Sequence, residues 1–149
     1  MAITPQNTAL LLKKGFRQVL VEHNAGLEAQ FTDEAYAAAG ATLVEKSTLW
    51  KESDILLKVR APSIEETSNE VNSLREGGTI ISFLYPAQNK AIVDALAEHK
   101  ANSFAMDMIP RISRAQVFDA LRLVLFSNSS YIVVCLICDK QFYGKHRRL

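Results

Sequence analysis

Cysteine is scarce in this sequence, with two among 149 residues, and that scarcity excludes a secreted fold held together by several disulfides. No run of 18 apolar residues occurs, so the sequence predicts no membrane-spanning helix. Neither charge sign is in excess, because 17 basic and 16 acidic residues leave a net charge of +1. We therefore expect neither nucleic acid nor an anionic membrane as a partner. The first five residues also lack the basic and apolar segments of a signal peptide.

Apolar residues, by contrast, are plentiful. They make up 48% of the chain against 22% charged residues, which is typical of one folded domain with a single core. The charge is unevenly distributed, since residues 1–121 carry a net charge of −3 and residues 122–149 a net charge of +4. We therefore treat residues 1–121 as one domain and residues 122–149 as a separate apolar and basic tail.

Short apolar segments alternate with helical ones throughout residues 1–121. Strands are predicted at residues 19–21, 41–44, 55–60, 79–84 and 103–109. Helices are predicted near residues 5–14, 33–39, 47–50, 64–74 and 91–96, and from about residue 113; Thr4 and Thr32 are the clearest N-caps. This alternation predicts an α/β fold: a three-layer, mostly parallel sheet with helices on both faces.

A sheet of this kind binds ligands at the carboxyl ends of its strands, where several polar residues of this sequence occur. Lys58 and Arg60 are two residues apart on one strand, and two cations there could hold a carboxylate or a phosphate. The alternative is a strand that simply emerges into solvent. Asp107 interrupts an apolar strand and must be paired, either as a site residue or as a cap for a neighbouring helix.

A second polar group follows the fifth predicted strand. Arg111, Arg114, Gln116 and Asp119 lie within nine residues and offer donors and acceptors for an amide or a ribose hydroxyl. The alternative is a solvated helix start with ordinary charge pairs.

Metal, redox and phosphate-loop chemistry have little support in the sequence. Cys135 and Cys138 form a C-x-x-C pair, which supplies two ligands where structural zinc needs four, and His146 would be only a third. His23 and His99 are expected in a loop and on a helix surface. Neither G-x-G-x-x-G nor G-x-x-x-x-G-K-[ST] occurs. We expect no metal site.

Five runs of residues together resemble one family. They are Val21–Gly26, Phe31–Tyr36 with the Ala-Gly-Ala of residues 39–41, Leu57–Pro62, Thr79–Asn89 and Ala105–Gln116. These runs are similar to the N-terminal part of the NAD(P) transhydrogenase and alanine dehydrogenase superfamily. The Leu-Tyr-Pro-Ala-Gln-Asn run at 84–89 and the Pro-Arg-Ile-Ser-Arg-Ala-Gln run at 110–116 resemble the proton-translocating transhydrogenase in particular.

The resemblance implies a Rossmann- or flavodoxin-like first subdomain of an NAD(H)-binding domain, incomplete at both ends. In that family hydride passes directly between NAD(H) and NADP(H), coupled to proton movement through a membrane domain. The implied cofactors are therefore NAD(H) and NADP(H), and no tight binding is expected from this fragment alone. By resemblance, Arg111 and Asp119 would hold the nicotinamide carboxamide or ribose, and Gln116 would extend toward the partner nucleotide.

Two further positions enter through the alanine dehydrogenase branch. Lys58 matches a lysine that contacts substrate there, and Tyr85 occupies the place of a catalytic histidine. Both are substrate-like candidates, and the tyrosine argues against alanine chemistry.

The sequence departs from the family at both ends. Members have an earlier strand before the Ile-Thr-Pro of residues 3–5, so a central strand is expected to be missing and to leave exposed sheet edges. After Leu121 the resemblance stops, which indicates a disordered tail or an artefact of gene structure. The apolar run at 131–138 could instead add a strand.

Several functions follow from these expectations. The first is a fragment of a proton-translocating transhydrogenase, inactive alone, whose partners are the remaining transhydrogenase domains or subunits and which forms a homodimer in the full protein. The alternatives are a non-catalytic α/β interaction module or pseudogene product, and an alanine dehydrogenase-like fragment. By resemblance the parent enzyme lies in the mitochondrial inner membrane, facing the matrix. We expect this chain itself to be soluble, though only marginally, and not inserted in the membrane.

Overall fold

The computed structural model describes residues 1–65 and 69–109 in full, together with the backbone of residues 133–137. The helices of this part are α1 (Pro5–Lys13), α2 (Asp33–Ala38), α3 (Lys46–Glu52), α4 (Glu70–Ser73) and α5 (Lys90–Glu98). The strands are β1 (Gln18–Glu22), β2 (Thr42–Val44), β3 (Ile55–Arg60), β4 (Thr79–Phe83), β5 (Asn102–Ala105) and β6 (Val133–Ile137). Two 3₁₀ turns, Leu27–Ala29 and Met106–Met108, complete the elements among the described residues.

The strands form one sheet in the order β2-β1-β6-β3-β4-β5. Strands β1 and β2 are parallel, as are β3, β4 and β5, and β6 runs antiparallel to both β1 and β3. Five strands therefore share one direction, and β6 alone among the described strands opposes them. The prediction of a mostly parallel α/β sheet is confirmed.

Helices cover both faces of this sheet, because alternate residues of its strands belong to two different cores. Leu20 of β1 and Leu56 of β3 pack with α3, α4 and α5, through residues that include Trp50, Val71 and Leu96. The other face of β1 and β3 packs with α1 and α2, and this second core consists of Ile3, Val19, Val21, Ala25 and Tyr36 with partly buried neighbours. The predicted three-layer architecture is confirmed.

Local signals set the starts of the first two helices. Asn7 N donates to Thr4 Oγ1 at 3.3 Å, and Ala35 N donates to Thr32 Oγ1 at 3.4 Å, so both predicted N-caps are confirmed. The predicted start of the third helix at residue 47 is one residue too late. Helix α3 begins at Lys46 after Glu45, which makes no side-chain capping bond.

Two other predicted elements differ from the structure. The helix expected over residues 64–74 is described only as the four-residue α4, consistent with a polar segment that has few apolar anchors. The fifth strand ends at Ala105 instead of continuing to residue 109. The chain turns there because the Asp107 carboxylate accepts a hydrogen bond from Leu84 N at 2.9 Å, which ties the Met106–Met108 turn to the end of β4.

The centre of the sheet also differs from the expectation. A missing central strand was predicted to leave exposed sheet edges, yet the facing edges of β1 and β3 both pair with β6. Strand β6 lies in the apolar run at 131–138, for which an added strand was one of the predicted alternatives. The helix predicted from residue 113 lies outside the described residues. No helix in the described part of the chain has the length and apolarity that a membrane crossing requires.

Candidate functional site

The carboxyl ends of the parallel strands meet at one edge of the sheet and bring several predicted site residues to the same side. Lys58 ends the buried part of β3, and Tyr85 follows β4 after Leu84. Glu22 ends β1. This edge is where an open parallel sheet binds ligands, so the described candidates lie where the sequence placed them.

Lys58 is buried, with 1% of its side chain exposed, whereas Arg60 on the same strand is exposed. The pairing of β3 with β4 shifts in register between Leu57 and Arg60. The two cations therefore do not form one exposed anion clamp, and Lys58 does not belong to a strand end that emerges into solvent.

The partner of Lys58 is Glu70 of α4. Its carboxylate accepts hydrogen bonds from Lys58 Nζ, from Lys46 Nζ at 2.7 Å and from Ser63 N at 2.9 Å. Glu70 N in turn donates to Ser63 O at 3.0 Å. One buried carboxylate thus joins β3, the start of α3 and the segment that follows β3.

Trp50 of α3 adds an aromatic face to this cluster. Lys58 Nζ lies 5.5 Å from the centroid of the Trp50 ring, within the range of a cation–π interaction. Within the described residues, two buried polar atoms make no hydrogen bond, Trp50 Nε1 and Ser82 Oγ. Both can donate to a water molecule or a small ligand.

Burial and pairing act in opposite directions on the two charged groups. Burial lowers the pKa of Lys58, and the bond with Glu70 offsets only part of that effect. Burial alone would raise the pKa of Glu70, but the hydrogen bonds from Lys46, Lys58 and Ser63 together outweigh it and hold that pKa below its usual value. The carboxylate is therefore ionised over the physiological pH range.

The end of β1 carries two more titratable groups. Burial raises the pKa of Glu22, although Lys46 partly opposes the shift. His23 Nδ1 lies 3.2 Å from Asp33 Oδ2, and Asn24 N donates to the other oxygen of Asp33 at 2.9 Å. His23 lies in a turn, as predicted, and the Asp33 carboxylate ties that turn to the start of α2.

Tyr85 has an unusual backbone conformation. Its φ of +47° lies in the left-handed region that favours glycine. Gln88 N and Asn89 N both donate to Tyr85 O, at 2.9 and 3.0 Å, and so hold the turn. The Tyr85 side chain is partly exposed and stacks on Phe83 with 6.4 Å between ring centroids. The left-handed conformation of Tyr85 and these hydrogen bonds show a constrained turn at the carboxyl edge of the sheet.

Asp107 supports the same turn from outside. Of the two roles predicted for it, the cap of a neighbouring helix is wrong, because its carboxylate binds the backbone of Leu84, next to Tyr85. Asn89 Nδ2 donates to Leu84 O at 2.9 Å and completes the support.

The remaining predicted contacts lie outside the described residues. These are Arg111, Arg114, Gln116 and Asp119. Cys138 and His146, for which no metal role is expected, lie outside the described residues as well. The described residues contain no cluster of three or more histidine, cysteine, aspartate or glutamate side chains that would hold a metal ion.

The pairing of Glu70 with Lys58 was not predicted from the sequence. The available signal was Lys58 itself, since a lysine on a strand buried on both faces needs a carboxylate partner. The partner could not be identified because Glu70 is one of several acidic residues in the polar segment that follows β3.

The described residues do not contain the phosphate-binding turn of a dinucleotide site. A pyrophosphate is normally held where a glycine-rich turn leads directly from a strand into a helix. Here β1 leads through Gly26 into the three-residue turn Leu27–Ala29, which is too short to form such a helix terminus. Donors for a pyrophosphate would have to come from elsewhere.

Comparison with known proteins identifies the family. The family described as alanine dehydrogenase/PNT, N-terminal domain, matches residues 1–125. The chain is 46% identical over 122 residues to NAD(P) transhydrogenase subunit alpha of Cereibacter sphaeroides and 43% identical over 121 residues to that of Haemophilus influenzae. Each alignment covers 81% of this chain and 22% of the relative.

A solved structure agrees with these relatives. The transhydrogenase from Sinorhizobium meliloti matches with a TM-score of 0.73 and 35% identity, over 80% of this chain and 34% of that one. The chain thus spans about a fifth of the length of its curated relatives. Since the family match covers most of the sequence and the fold agrees, the chain belongs to the alanine dehydrogenase/PNT N-terminal domain family.

Proposed function

We propose that this chain is the first subdomain of the NAD(H)-binding domain of a proton-translocating NAD(P) transhydrogenase, in which hydride passes between NAD(H) and NADP(H). The observation that carries the proposal is the sequence identity of 43–46% to transhydrogenase alpha subunits. The polar carboxyl edge of the parallel sheet supports it, because that edge is the usual ligand side of this fold.

Hydride transfer requires the two nicotinamide rings to be held face to face, and the bound nucleotides supply the redox chemistry itself. The role of this chain is therefore to position one ring. We assign Arg111 and Asp119 to the carboxamide or ribose of NAD(H), and Gln116 to the side that faces the partner nucleotide. None of these three side chains has to exchange a proton for the transfer to occur.

The chain is proposed to act only within a larger assembly. Its sequence has no glycine-rich phosphate loop, and a second subdomain would have to supply the pyrophosphate contacts. Its proposed partners are therefore the remaining transhydrogenase domains or subunits. We propose that the complete enzyme is a homodimer. We also propose that the parent enzyme is eukaryotic and lies in the mitochondrial inner membrane, with this domain facing the matrix. Subcellular fractionation tests this location.

An alanine dehydrogenase-like activity is the second candidate, because Lys58 matches that family's substrate lysine. Two features disfavour it. Lys58 is buried and already bound by Glu70, and Tyr85 stands where a catalytic histidine is needed. We therefore expect no alanine-dependent reduction of NAD from the chain or from an enzyme that contains it.

The test is a chimaera. Residues 1–121 of this chain replace the matching segment of the Cereibacter sphaeroides alpha subunit, and hydride transfer from NADH to a chromogenic NADP analogue is measured. The subunit keeps its own residues on both sides of the exchanged segment, so that the earlier strand expected in family members is retained where this chain has its tail. We expect activity in the chimaera, with a loss of at least about tenfold in both Arg111→Ala and Gln116→Ala, as for removed positioning contacts. Arg17→Ala is the matched control, since Arg17 is exposed next to the amino end of β1, at the opposite edge of the sheet.

The outcomes separate the possibilities. A folded chimaera without hydride transfer contradicts the transhydrogenase proposal. Equal losses in Arg111→Ala and Arg17→Ala contradict the assigned site and leave the family role intact. The isolated 149-residue chain should bind NADH far more weakly than the chimaera, and micromolar binding by calorimetry would show that the fragment carries a complete site.

A further inference from the structure

Strand β6 lies outside the part of the chain that belongs to the family. The family match covers residues 1–125, whereas β6 comprises Val133–Ile137. Yet β6 occupies the centre of the sheet, with β1 on one side and β3 on the other. A segment without family resemblance therefore completes the sheet of the family domain.

The pairing of β6 is continuous along both neighbours. Cys135 pairs with Leu20 of β1 and with Leu56 of β3, and the adjacent positions of β6 follow in the same register. In the described sheet β1 and β3 do not pair with each other. The strand is thus the backbone connection between the β2–β1 half and the β3–β4–β5 half.

The flanking strands need this pairing for a physical reason. Leu20 and Leu56 are 1% and 0% exposed, and helices cover both faces of the strands that carry them. If no segment lay between β1 and β3, the backbone N–H and C=O groups on their facing edges would be buried without hydrogen-bond partners. An extended segment is what satisfies two such edges at once.

The antiparallel direction follows from where the chain enters. Val133 pairs with Lys58 at the carboxyl end of β3, and Ile137 pairs with Gln18 at the amino end of β1. Strand β5 also ends at the carboxyl edge, three strand spacings away, or about 14 Å. A segment that starts β6 from that edge runs antiparallel without a crossover, which a parallel strand would require.

We propose that the gap between β1 and β3 is a strand-acceptor site and that residues 133–137 of the same chain are its built-in occupant. The folded unit then extends to residue 137 instead of ending at residue 121. The tail segment is part of the fold, and it fills the gap between β1 and β3. This inference is independent of the proposed transhydrogenase role.

A register-specific disulfide tests the proposal in the full chain. The variant Leu20→Cys with Cys138→Ala leaves one native thiol, Cys135, opposite the new one. Directly paired positions on antiparallel strands have Cα atoms about 4.5–5.5 Å apart, within the range that a disulfide spans. Val19→Cys with Cys138→Ala is the matched control, because Val19 pairs with Leu136.

We expect a disulfide within one chain for Leu20→Cys after mild oxidation, at least about tenfold faster than for Val19→Cys, shown by peptide mapping of the monomer. A disulfide between chains overturns the same-chain occupant and identifies a second copy instead. Equal rates for the two variants, or no disulfide in either, overturn the register and with it the proposal.

Hydrogen exchange on the unsubstituted chain keeps the test independent of any destabilisation by these substitutions. Amides of β1, β3 and β6 should exchange together as one protected unit. In Val134→Pro, which removes a backbone donor in the middle of β6, β1 and β3 should lose at least about tenfold in protection. Lys140→Pro, three residues beyond the strand, should leave them protected. Unprotected β6 amides beside protected β1 and β3 amides would contradict the proposal.

Discussion

Lys58 of β3 and Glu70 of α4 form a buried ion pair at the carboxyl edge of the sheet, with 1% and 6% of their side chains exposed. The same carboxylate holds Lys46 and the backbone of Ser63, and the ring of Trp50 lies beside the ammonium. A single carboxylate thus connects a strand, a helix and the loop between them. We therefore expect the stability of this edge to depend on that carboxylate more than on either lysine.

Removing Glu70 is therefore predicted to destabilise the chain strongly. Glu70→Ala leaves the Lys58 ammonium buried without its carboxylate, and breaking a buried pair in this way costs about 3–5 kcal/mol. The double variant Lys58→Met with Glu70→Leu should recover most of the loss, because it removes both buried charges. Urea unfolding followed by circular dichroism measures both free energies.

The control for this pair is an exposed one. Glu76→Ala breaks the bond from Lys100, whose side chain is 76% exposed, and such surface pairs contribute under about 1 kcal/mol. If Glu70→Ala and Glu76→Ala lowered the free energy of unfolding equally, the buried pair would contribute no more to stability than the exposed pair.

Glu22 gives a pH-dependent prediction. Burial raises its pKa in the folded state, so ionised Glu22 destabilises the fold relative to the unfolded chain. Below the unfolded pKa the group is protonated in both states, and this penalty is absent; it appears as the pH rises through the folded pKa. Glu22→Gln should therefore increase the free energy of unfolding at pH 7 and leave it unchanged near about pH 3.5. Glu28→Gln, at an exposed position, is the matched control.

Tyr85 provides a test of backbone strain. Alanine and glycine at this position both remove the ring, but only glycine adopts a φ of +47° without a steric penalty. Tyr85→Gly should therefore be more stable than Tyr85→Ala by about 1 kcal/mol. Ala97→Gly in α5 should show the opposite sign, since glycine destabilises a helix by about 0.5–1 kcal/mol. Thermal unfolding of the three variants measures these differences in stability. If Tyr85→Ala were as stable as Tyr85→Gly, the backbone at Tyr85 would not be strained.

Gly26 is predicted to be required for space. Its φ of −102° suits any residue, but an added Cβ would lie 2.7 Å from both Phe31 O and Tyr36 Cε2. Gly26→Ala should lower the free energy of unfolding by about 1–3 kcal/mol, as overpacked sites do. Gly77→Asn is the control, because no heavy atom lies within 4 Å of that position and asparagine tolerates its φ of +73°, so at most about 1 kcal/mol is lost. An unchanged melting temperature in Gly26→Ala would show that the Phe31 loop yields.

Much of the fold was predictable because it rests on local signals. Apolar strands separated by capped helices predicted the parallel sheet and its two helical layers, and Thr4 and Thr32 cap helices as expected. The fifth strand was predicted too long, since the turn at Met106–Met108 depends on a contact between Asp107 and Leu84 that is distant in sequence. Contacts of this kind leave no periodic pattern to read.

The location of the candidate residues was predictable from the sequence, but their burial and their partners were not. The sheet brings Lys58 and Tyr85 to one edge, as the strand-end rule implies. The burial of Lys58, its pairing with Glu70 and the left-handed turn at Tyr85 were not predictable. Each depends on which elements pack against the strand end.

The sequence by itself determined the α/β class, the family resemblance and the residue types at the carboxyl edge of the sheet, because period, capping and motif spacing are properties of short segments. Only the tertiary structure decided that the tail segment Val133–Ile137 lies between β1 and β3 and that it runs antiparallel to them. Strand order and direction depend on which backbone edges lack a partner once the helices have packed, and no local pattern encodes that.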